Sequence, residues 1–503
     1  MLGLIRSVKN TFALVNRTPP EVLSLIPDYW EGSERDEVSI KLTHVCRGWR
    51  ELFISRPSLW TRLDCKSTEK TRVYIERSGT SCLKISLADK HIPSYSEEAF
   101  LLVVPHVGRV NTISAISWAS SVSVSAALLQ FLVKQFSCPV PLLEKLSIDL
   151  LCDPTSTLPT TLFNGNLSSL RELSLAGVLV PLSWGSLENL VIFHLSDIPR
   201  REIPLTYLLD FFESAPRLYN VRLQNSIPES SNAPLERIVS LPSLKELRIN
   251  AQPVHSILLD HLSIPSGASI VLEFMFVDAS SPIPAYVPNT LDNLDNLSHI
   301  SAVNLCFGPE RRAMQLNGPS GELYVLGRWI REDTAQNIGT TRLLRFLNRF
   351  DTSRCQWVGI THYSSQPNSS SPVTTWATYQ FLLPMGNLRT LTLIESNNSP
   401  FILTLNPDKN PDKVVLCPKL EEITLYIDHS YKFHINELLS MAEERALRDA
   451  KFSAITIVST DALTPLMEVF ELRKHVSRVE YKFDNAPPAW DTLPGPNQFG
   501  GNS

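Results

Sequence analysis

The sequence predicts an α/β protein in two parts: a small module of three short helices, followed by a long repeat solenoid with a curved parallel sheet. The first observation is a pattern of apolar residues, L-x-x-L-x-L, that recurs ten times between residues 143 and 481. The second is a helical segment that often precedes this pattern, with a proline between them. The third is helical spacing of apolar residues in the first sixty positions. Units of this kind cover one another by stacking.

The composition is that of a chain that folds around a large core. Of the 503 residues, 43% are hydrophobic and 19% are charged, which argues against bulk disorder. The formal net charge of −5 lacks the basic excess of general nucleic-acid-binding proteins, so no nucleic acid is expected as a partner. The chain has 36 prolines but only 19 glycines, which favours many short elements with stiff connections.

One uncharged stretch, residues 113–133, is long enough for a membrane-spanning helix. It carries six serines and a glutamine, which are expensive in a bilayer. We therefore predict a strand around Val110–Trp118, a helix over Val124–Phe136 and no membrane partner.

The eight cysteines are scattered along the chain, without a C-x-x-C pair or a zinc-like cluster with histidines. They indicate reduced core thiols, a cytoplasmic or nuclear protein, and no metal or cofactor.

The segment Thr18–Glu21 has the spacing of a capping box, in which each end bonds the other's backbone amide at a helix start. Pro19 suits the beginning of a helix, where its missing amide costs nothing. Pro27 should end or kink this helix. Its predicted apolar face comprises Val22, Leu23, Ile26 and Trp30.

A second amphipathic helix is predicted after a polar stretch. The Arg56–Trp60 turn and Leu63 follow it and present further large apolar groups. The apolar positions of the helix, at helical spacing, are Leu42, Val45, Cys46, Trp49 and Phe53.

Residues 15–64 resemble the fungal F-box family through three ordered pieces, P-P-E-V-L, V-C-R-x-W-R-x-L and P-S-L-W, with residues 1–14 as an N-terminal tail. The sequence departs from the family at Thr18, where Leu is usual, and in a longer, more acidic linker over 28–37. The resemblance implies binding to a Skp-type adaptor that links to a cullin–RING ubiquitin ligase. A module this small leaves apolar surface uncovered. The alternative is that this region is the N-terminal cap of the solenoid. The expected adaptor-binding residues are Pro20, Leu23, Ile26, Leu59 and Trp60.

Residues 65–484 resemble a leucine-rich-repeat region. Successive middle residues of the pattern are 27, 20, 28 and 26 positions apart in the first block, and 32, 32 and 24 apart in the last. The register is unclear between about 251 and 387, where IVLEFMFV and GELYVLG are predicted strands. The alternative is an ordinary α/β domain with alternating strands and helices. Residues 485–503, rich in Pro and Gly, are predicted to be disordered.

Side chains alternate between the two faces of a strand, so the residues between the leucines should line the outer face of the sheet. The middle outward column then runs through His194, Arg222 and Arg248, and we expect this stripe to bind the target. Arginines bind acidic or phosphorylated segments through paired hydrogen bonds. The alternative is that solvent and nearby Glu246 screen the stripe.

No P-loop, G-x-G-x-x-G, G-x-S-x-G or H-E-x-x-H motif is present. Cys46 is interpreted as apolar packing and His44 as a surface residue, and His255 and His261 as solvated loop residues without a third ligand. We therefore expect a non-enzymatic protein: the substrate-recognition adaptor of a cullin–RING (SCF-type) ubiquitin ligase, holding an unknown target protein on the repeats. Two alternatives stay open. One is an F-box and repeat scaffold acting outside a ligase, and the other is a hydrolase whose site is assembled in space.

Overall fold

Each of the ten L-x-x-L-x-L segments forms a strand, because its last two apolar side chains turn to one buried face while the residues between them turn to the other. In Lys145–Asp149 the burial alternates along the strand, with Leu146 and Ile148 buried. This confirms the predicted strand positions. The computed structural model describes residues 18–29, 34–89, 96–117, 122–150, 157–165, 167–181, 184, 187–198, 204–226, 237–251, 257–276, 291, 293–307, 311–318, 321–329, 344, 347–362, 375–395, 400–427, 435–459 and 467–483.

The described strands have the following bounds. They are β1 Arg62–Leu63, β2 Leu83–Asp89, β3 Val110–Ser117, β4 Lys145–Asp149, β5 Glu172–Ala176, β6 Ile192–Ser196, β7 Asn220–Gln224, β8 Val239–Ser240, β9 Glu246–Ala251, β10 Leu262–Ser263, β11 Ser269–Phe276, β12 Ala302–Phe307, β13 Arg311–Asn317, β14 Glu322–Trp329, β15 Trp357–His362, β16 Thr390–Glu395, β17 Glu422–Ile427, β18 Ala454–Ser459 and β19 Arg478–Phe483.

The described α-helices are mostly short. They are α1 Pro20–Leu25, α2 Glu34–Thr43, α3 Arg47–Ile54, α4 Thr68–Ser78, α5 Glu97–Leu101, α6 Val122–Gln135, α7 Leu205–Ser214, α8 Ile257–Asp260, α9 Thr375–Leu382, α10 Pro400–Leu405, α11 Ile435–Leu447 and α12 Met467–His475. Short 3₁₀ helices lie at Ile26–Tyr29, Pro57–Trp60, Val104–Arg109, Leu162–Gly165 and Asp295–Leu297.

The fold is α/β with a large, mostly parallel sheet, and the chain divides into two compact units, Met1–Glu202 and Ile203–Ser503. In the first unit, strands β1 to β6 lie side by side in chain order, and every neighbouring pair is parallel. Each of the strands β2 to β5 therefore pairs with the strands immediately before and after it in the sequence. A stack of similar units requires this order.

In the second unit the strand order is β7, β9, β11, β14, β13, β12, β15, β16, β17, β18 and β19. Within this described sheet, β13 alone runs antiparallel to its neighbours. The two predicted strands of the unclear region are confirmed as β11 and β14. The repeat pattern of the sequence is irregular there because the β12–β13–β14 meander reverses the chain. Strand β11 therefore pairs with β14 rather than with β12. Strands β8 and β10 form a separate parallel pair.

One turn recurs at the entrance to the strands. The first apolar residue of the pattern donates its backbone amide to the carbonyl three residues earlier, at 2.9 to 3.2 Å, before β4, β5, β6, β7, β9, β16 and β17. Cys355 makes the same bond to Thr352 before β15, which shows that residues 355–360 form a further copy of the pattern that sequence analysis missed. The turn satisfies an amide next to the core and fixes where each strand starts.

The register of the sheet aligns the middle residues of successive patterns. Leu146, Leu173 and Phe193 are partners across β4, β5 and β6. The partners across β16 to β19 are Leu391, Ile423, Ile455 and Val479. A slip of one residue would turn a whole apolar set outward, so burial of these side chains fixes the register.

The predicted capping box is wrong. Helix α1 begins at Pro20, Pro19 is its N-cap residue, and no side chain caps it. The backbone amides of Val22 and Leu23 donate to the carbonyl of Pro19 instead. The helix ends at Leu25 and a 3₁₀ turn containing Pro27 follows, which agrees with the expected effect of that proline.

The predicted second helix is two helices. Helix α2 ends at Thr43 and α3 begins at Arg47, with Cys46 as its N-cap: the Cys46 Sγ accepts the amide of Trp49 at 3.5 Å. The Arg50 guanidinium donates to the carbonyl of Thr43 at 2.9 Å, which satisfies the open end of α2. Cys46 is thus a capping residue rather than apolar packing.

The uncharged stretch forms β3 and α6, as the predicted strand and helix require. With 14 residues, α6 is about 21 Å long, shorter than the roughly 30 Å of a bilayer core. None of the described helices has the length and apolar character needed to cross a membrane. The predicted tails, residues 1–14 and 485–503, lie outside the described residues, as do Trp30 and His255.

Candidate binding surfaces

The N-terminal helical module places the five predicted adaptor-binding residues unequally. Pro20 is exposed and Ile26 is half-buried, whereas Leu23, Leu59 and Trp60 are 6%, 5% and 1% exposed. The last three were expected to remain uncovered, and that expectation is wrong for the chain alone. Whether the five residues bind an adaptor stays a prediction.

Trp60 is held within the protein by three contacts. Its indole nitrogen donates to the carbonyl of Phe53 at 3.0 Å, and its ring meets the Tyr74 ring edge-on at 5.1 Å. The Arg77 guanidinium lies 4.4 Å from its ring centre, a cation–π distance. Phe53 belongs to α3, and Tyr74 and Arg77 belong to α4, so Trp60 joins the helical module to the helix that precedes β2.

Other apolar side chains of the module do reach solvent. Val22 and Leu25 are 52% and 49% exposed, and lie three residues apart on one face of α1. Val45, in the break between α2 and α3, is 52% exposed. Val22 belongs to the predicted apolar face of α1, whereas Leu25 does not. A short helix with apolar residues on two sides does not show from its sequence which side packs against the core.

The outward face of β2 to β6 carries a ladder of hydroxyl groups, here named the serine row. In register these residues are Ser86, Ser114, Ser147 and Ser174, followed by His194 on β6. All five side chains are half-buried. The four hydroxyls make no hydrogen bond to any residue in the described part of the chain, so they can donate to and accept from a ligand.

The residues of the predicted target stripe are divided between the two compact units. Arg222 and Arg248 are register partners on β7 and β9. His194 belongs to the other compact unit, where its neighbour on β5 is Ser174.

Both arginines of the stripe are engaged by one carboxylate. Glu246 lies 3.6 Å from Arg222 and 3.3 Å from Arg248, measured between nitrogen and oxygen, and it also accepts the side-chain amide of Asn220. The arginine side chains are 46% and 43% exposed. The group keeps one net positive charge, partly accessible to solvent. This agrees with the alternative to target binding, in which Glu246 screens the arginines.

A different outward face lies over β12, β15 and β16, where the middle positions are Asn304, Gly359 and Thr392, all buried. Asn304 is 4% exposed and its side-chain oxygen has no hydrogen-bond partner. The Trp357 indole lies over Gly359: a Cβ at position 359 would come within 2.4 Å of that ring. This part of the sheet is covered on both faces.

The buried thiols of the described chain are poorly suited to nucleophilic attack. Burial raises the pKa of Cys65, Cys355 and Cys417 to about 12, so these thiols stay protonated. His44 is exposed, as predicted. His261 is 2% exposed and its Nδ1 donates to the carbonyl of Arg237 at 2.7 Å, so its predicted solvated position is wrong.

No group of three or more potential metal-ligating side chains is present in the described ranges. The seven described cysteines form no disulfide with one another. Four are buried, but Cys82 is exposed, so the expectation of core thiols does not hold for it. Comparison of the chain with protein-family models and with curated protein sequences finds no match.

Proposed function

We propose that this protein is the substrate-recognition adaptor of a cullin–RING ubiquitin ligase, binding a Skp-type adaptor through its N-terminal helical module and a target protein on the outward face of the sheet. The resemblance of residues 15–64 to the F-box family supports the first half. The observation that carries it is the exposed pair Val22 and Leu25, beside buried Leu23. When a partner covers half-exposed apolar side chains, their remaining apolar surface is removed from water, and this burial favours binding.

The contact surface of the module is narrower than the sequence suggested. Leu23, Leu59 and Trp60 support the helices from inside, while Pro20, Ile26, Val22 and Leu25 supply accessible area. Lysine at position 23 would bury a charge and unfold the module, which would mimic a loss of binding. Substitutions at exposed positions separate the two effects.

The test is capture of a purified Skp-type adaptor by the full-length chain. We expect Val22→Lys and Leu25→Lys together to weaken capture by about tenfold or more, because each removes an apolar contact. The matched control is Leu447→Lys, which changes a 74% exposed leucine of the second unit and should leave capture unchanged. If the double variant is captured as well as the wild type, the proposed surface is wrong.

A second capture distinguishes a ligase subunit from a scaffold. When the bound adaptor is supplied with a purified cullin–RING subunit, the proposal expects a complex that contains all three. A stable complex of chain and adaptor that excludes the cullin would instead support an F-box and repeat scaffold acting outside a ligase.

The target is proposed to bind the outward face of the sheet, through Arg222 and Arg248 in the second unit. Their shared partner Glu246 makes a specific expectation possible. Glu246→Gln removes the carboxylate that both guanidinium groups share and should strengthen binding of an acidic target, whereas Arg222→Ala with Arg248→Ala should weaken it. A target whose affinity responds to neither change binds elsewhere.

A further inference from the structure

A cleft of about 280 Å³ lies between the 3₁₀ turn Pro57–Trp60 and the beginning of β1 and β2. Its polar lining consists of two cationic side chains, three hydroxyl groups and a thiol, from Arg62, Lys84, Ser58, Thr61, Ser81 and Cys82. None of the described residues that line it carries a carboxylate. Pockets for drug-sized ligands range from roughly 300 to 1,000 Å³, so this cleft suits a small anionic group rather than a large cofactor.

The two cations are placed side by side by the sheet. Arg62 and Lys84 are register partners in the parallel β1–β2 pair. Like charges directly opposite one another destabilise a sheet. The nearest carboxylate in sequence, Asp64, is bound to the Lys70 ammonium at 2.6 Å. Lys84 is exposed and makes no ion pair with any described residue.

Hydroxyl donors complete the lining. The side chains of Ser58 and Ser81 form no hydrogen bond within the described structure, so both are available to a ligand. The backbone of the rim is fixed, because Arg109 donates to the carbonyl of Ser81 at 3.0 Å and the Lys84 amide donates to the carbonyl of Thr61 at 2.8 Å. Two cations and free hydroxyls on a rigid backbone match the oxygens of a tetrahedral oxyanion.

We propose that this cleft binds a phosphate group, either inorganic phosphate or a phosphate monoester carried by another molecule. Lys84 supplies the main charge, Arg62 lies beside it, and the hydroxyls of Ser58 and Ser81 donate to the phosphate oxygens. The serine row begins two residues after Lys84, at Ser86 on the same face of β2, so a chain carrying the phosphate finds further hydrogen-bonding groups next to the cleft. The site does not depend on adaptor binding by the helical module.

The test is isothermal titration calorimetry of the full-length chain, in chloride buffer at physiological ionic strength, with inorganic phosphate and with O-phospho-L-serine. We expect saturable binding at millimolar concentrations. Lys84→Ala should weaken it by about tenfold, as the loss of one hydrogen bond to a charged group does. Lys84→Arg should retain most of it. Binding of inorganic phosphate but not phosphoserine identifies free phosphate as the ligand, and comparable or tighter binding of phosphoserine identifies a monoester.

The matched control is Lys66→Ala, which removes another exposed cation, outside the cleft, and should leave the affinity unchanged. Equal losses from Lys66→Ala and Lys84→Ala would reveal general charge attraction and overturn the proposal. Absence of saturable heat with both ligands, or full affinity in Lys84→Ala, would also overturn it. Because Lys84 is exposed and unpaired among the described residues, its replacement leaves the fold intact.

Discussion

The outward face of the sheet differs between two regions whose inward face follows the same pattern. Over β3 to β5, the middle outward positions are the half-buried Ser114, Ser147 and Ser174. Over β12, β15 and β16, the same positions are buried, with the Trp357 ring lying on Gly359. The inward apolar pattern therefore determines the strand positions and register of the sheet. The outward residues determine which part of the outward face stays accessible to a partner.

The largest expected effect lies on the inward face, where the two regions should respond alike. Leu173 on β5 and Leu391 on β16 are both completely buried. Leu173→Ala and Leu391→Ala should each lower the free energy of unfolding by about 2–5 kcal/mol, through lost burial and the cavity left behind. Urea denaturation followed by circular dichroism measures both. A loss in one region and none in the other would contradict a common inward framework.

A smaller effect should separate the two outward faces. Gly359→Ala places a Cβ against the Trp357 ring and should cost about 1–3 kcal/mol, as overpacking does. Ser147→Ala, at the matching position of the accessible face, should change stability by no more than about 0.5 kcal/mol.

The control is a double-mutant cycle with Trp357→Ala. Once the indole is absent, Gly359→Ala should add little further cost, because the ring is its main obstacle. An unchanged cost in the absence of the ring would show that the glycine is required for another reason. The Trp357 ring would then not be what covers the outward face at Gly359.

The smallest expected effect concerns Asp149, an acidic residue at the end of β4 in the first region. Partial desolvation, together with neighbouring Asp197, raises the pKa of Asp149 on β4. The folded chain therefore holds this proton more tightly than the unfolded chain, and stability falls as the pH rises from the ordinary carboxyl pKa through the raised one. Asp149→Asn should raise the melting temperature slightly at neutral pH and match the wild type in acid. A lower melting temperature at neutral pH would show that the ionised carboxylate stabilises the fold.

The repeated strands were predictable because their signal is local and repeated. Leu146, Leu173 and Phe193 each lie at the same place in one short pattern, and burial of a whole row enforces the register. The β12–β13–β14 meander was not predictable in the same way. The sequence indicates strands β12 and β14 but not β13. The pairing of β11 with β14 depends on chain reversal, which leaves no periodic trace.

The candidate sites were less predictable because they depend on which face of each helix or strand packs against the core. Leu23 and Leu25 are equally apolar, yet one is buried and the other is half exposed. Arg222 and Arg248 were correctly predicted to lie side by side on neighbouring strands. Their ion pairs with Glu246 depend on side-chain conformation, which the spacing of residues in the sequence does not determine. The cleft at Lys84 joins residues from three short segments, and none of them carries a motif.

Hydrogen–deuterium exchange of the full-length chain, with and without a purified Skp-type adaptor, tests the central claim most directly. The proposed docking predicts slower exchange over α1 and the break between α2 and α3, where Val22, Leu25 and Val45 are exposed, and unchanged exchange over β4 and β5. Slower exchange over the sheet with none in the module, or no change anywhere at saturating adaptor, would contradict it.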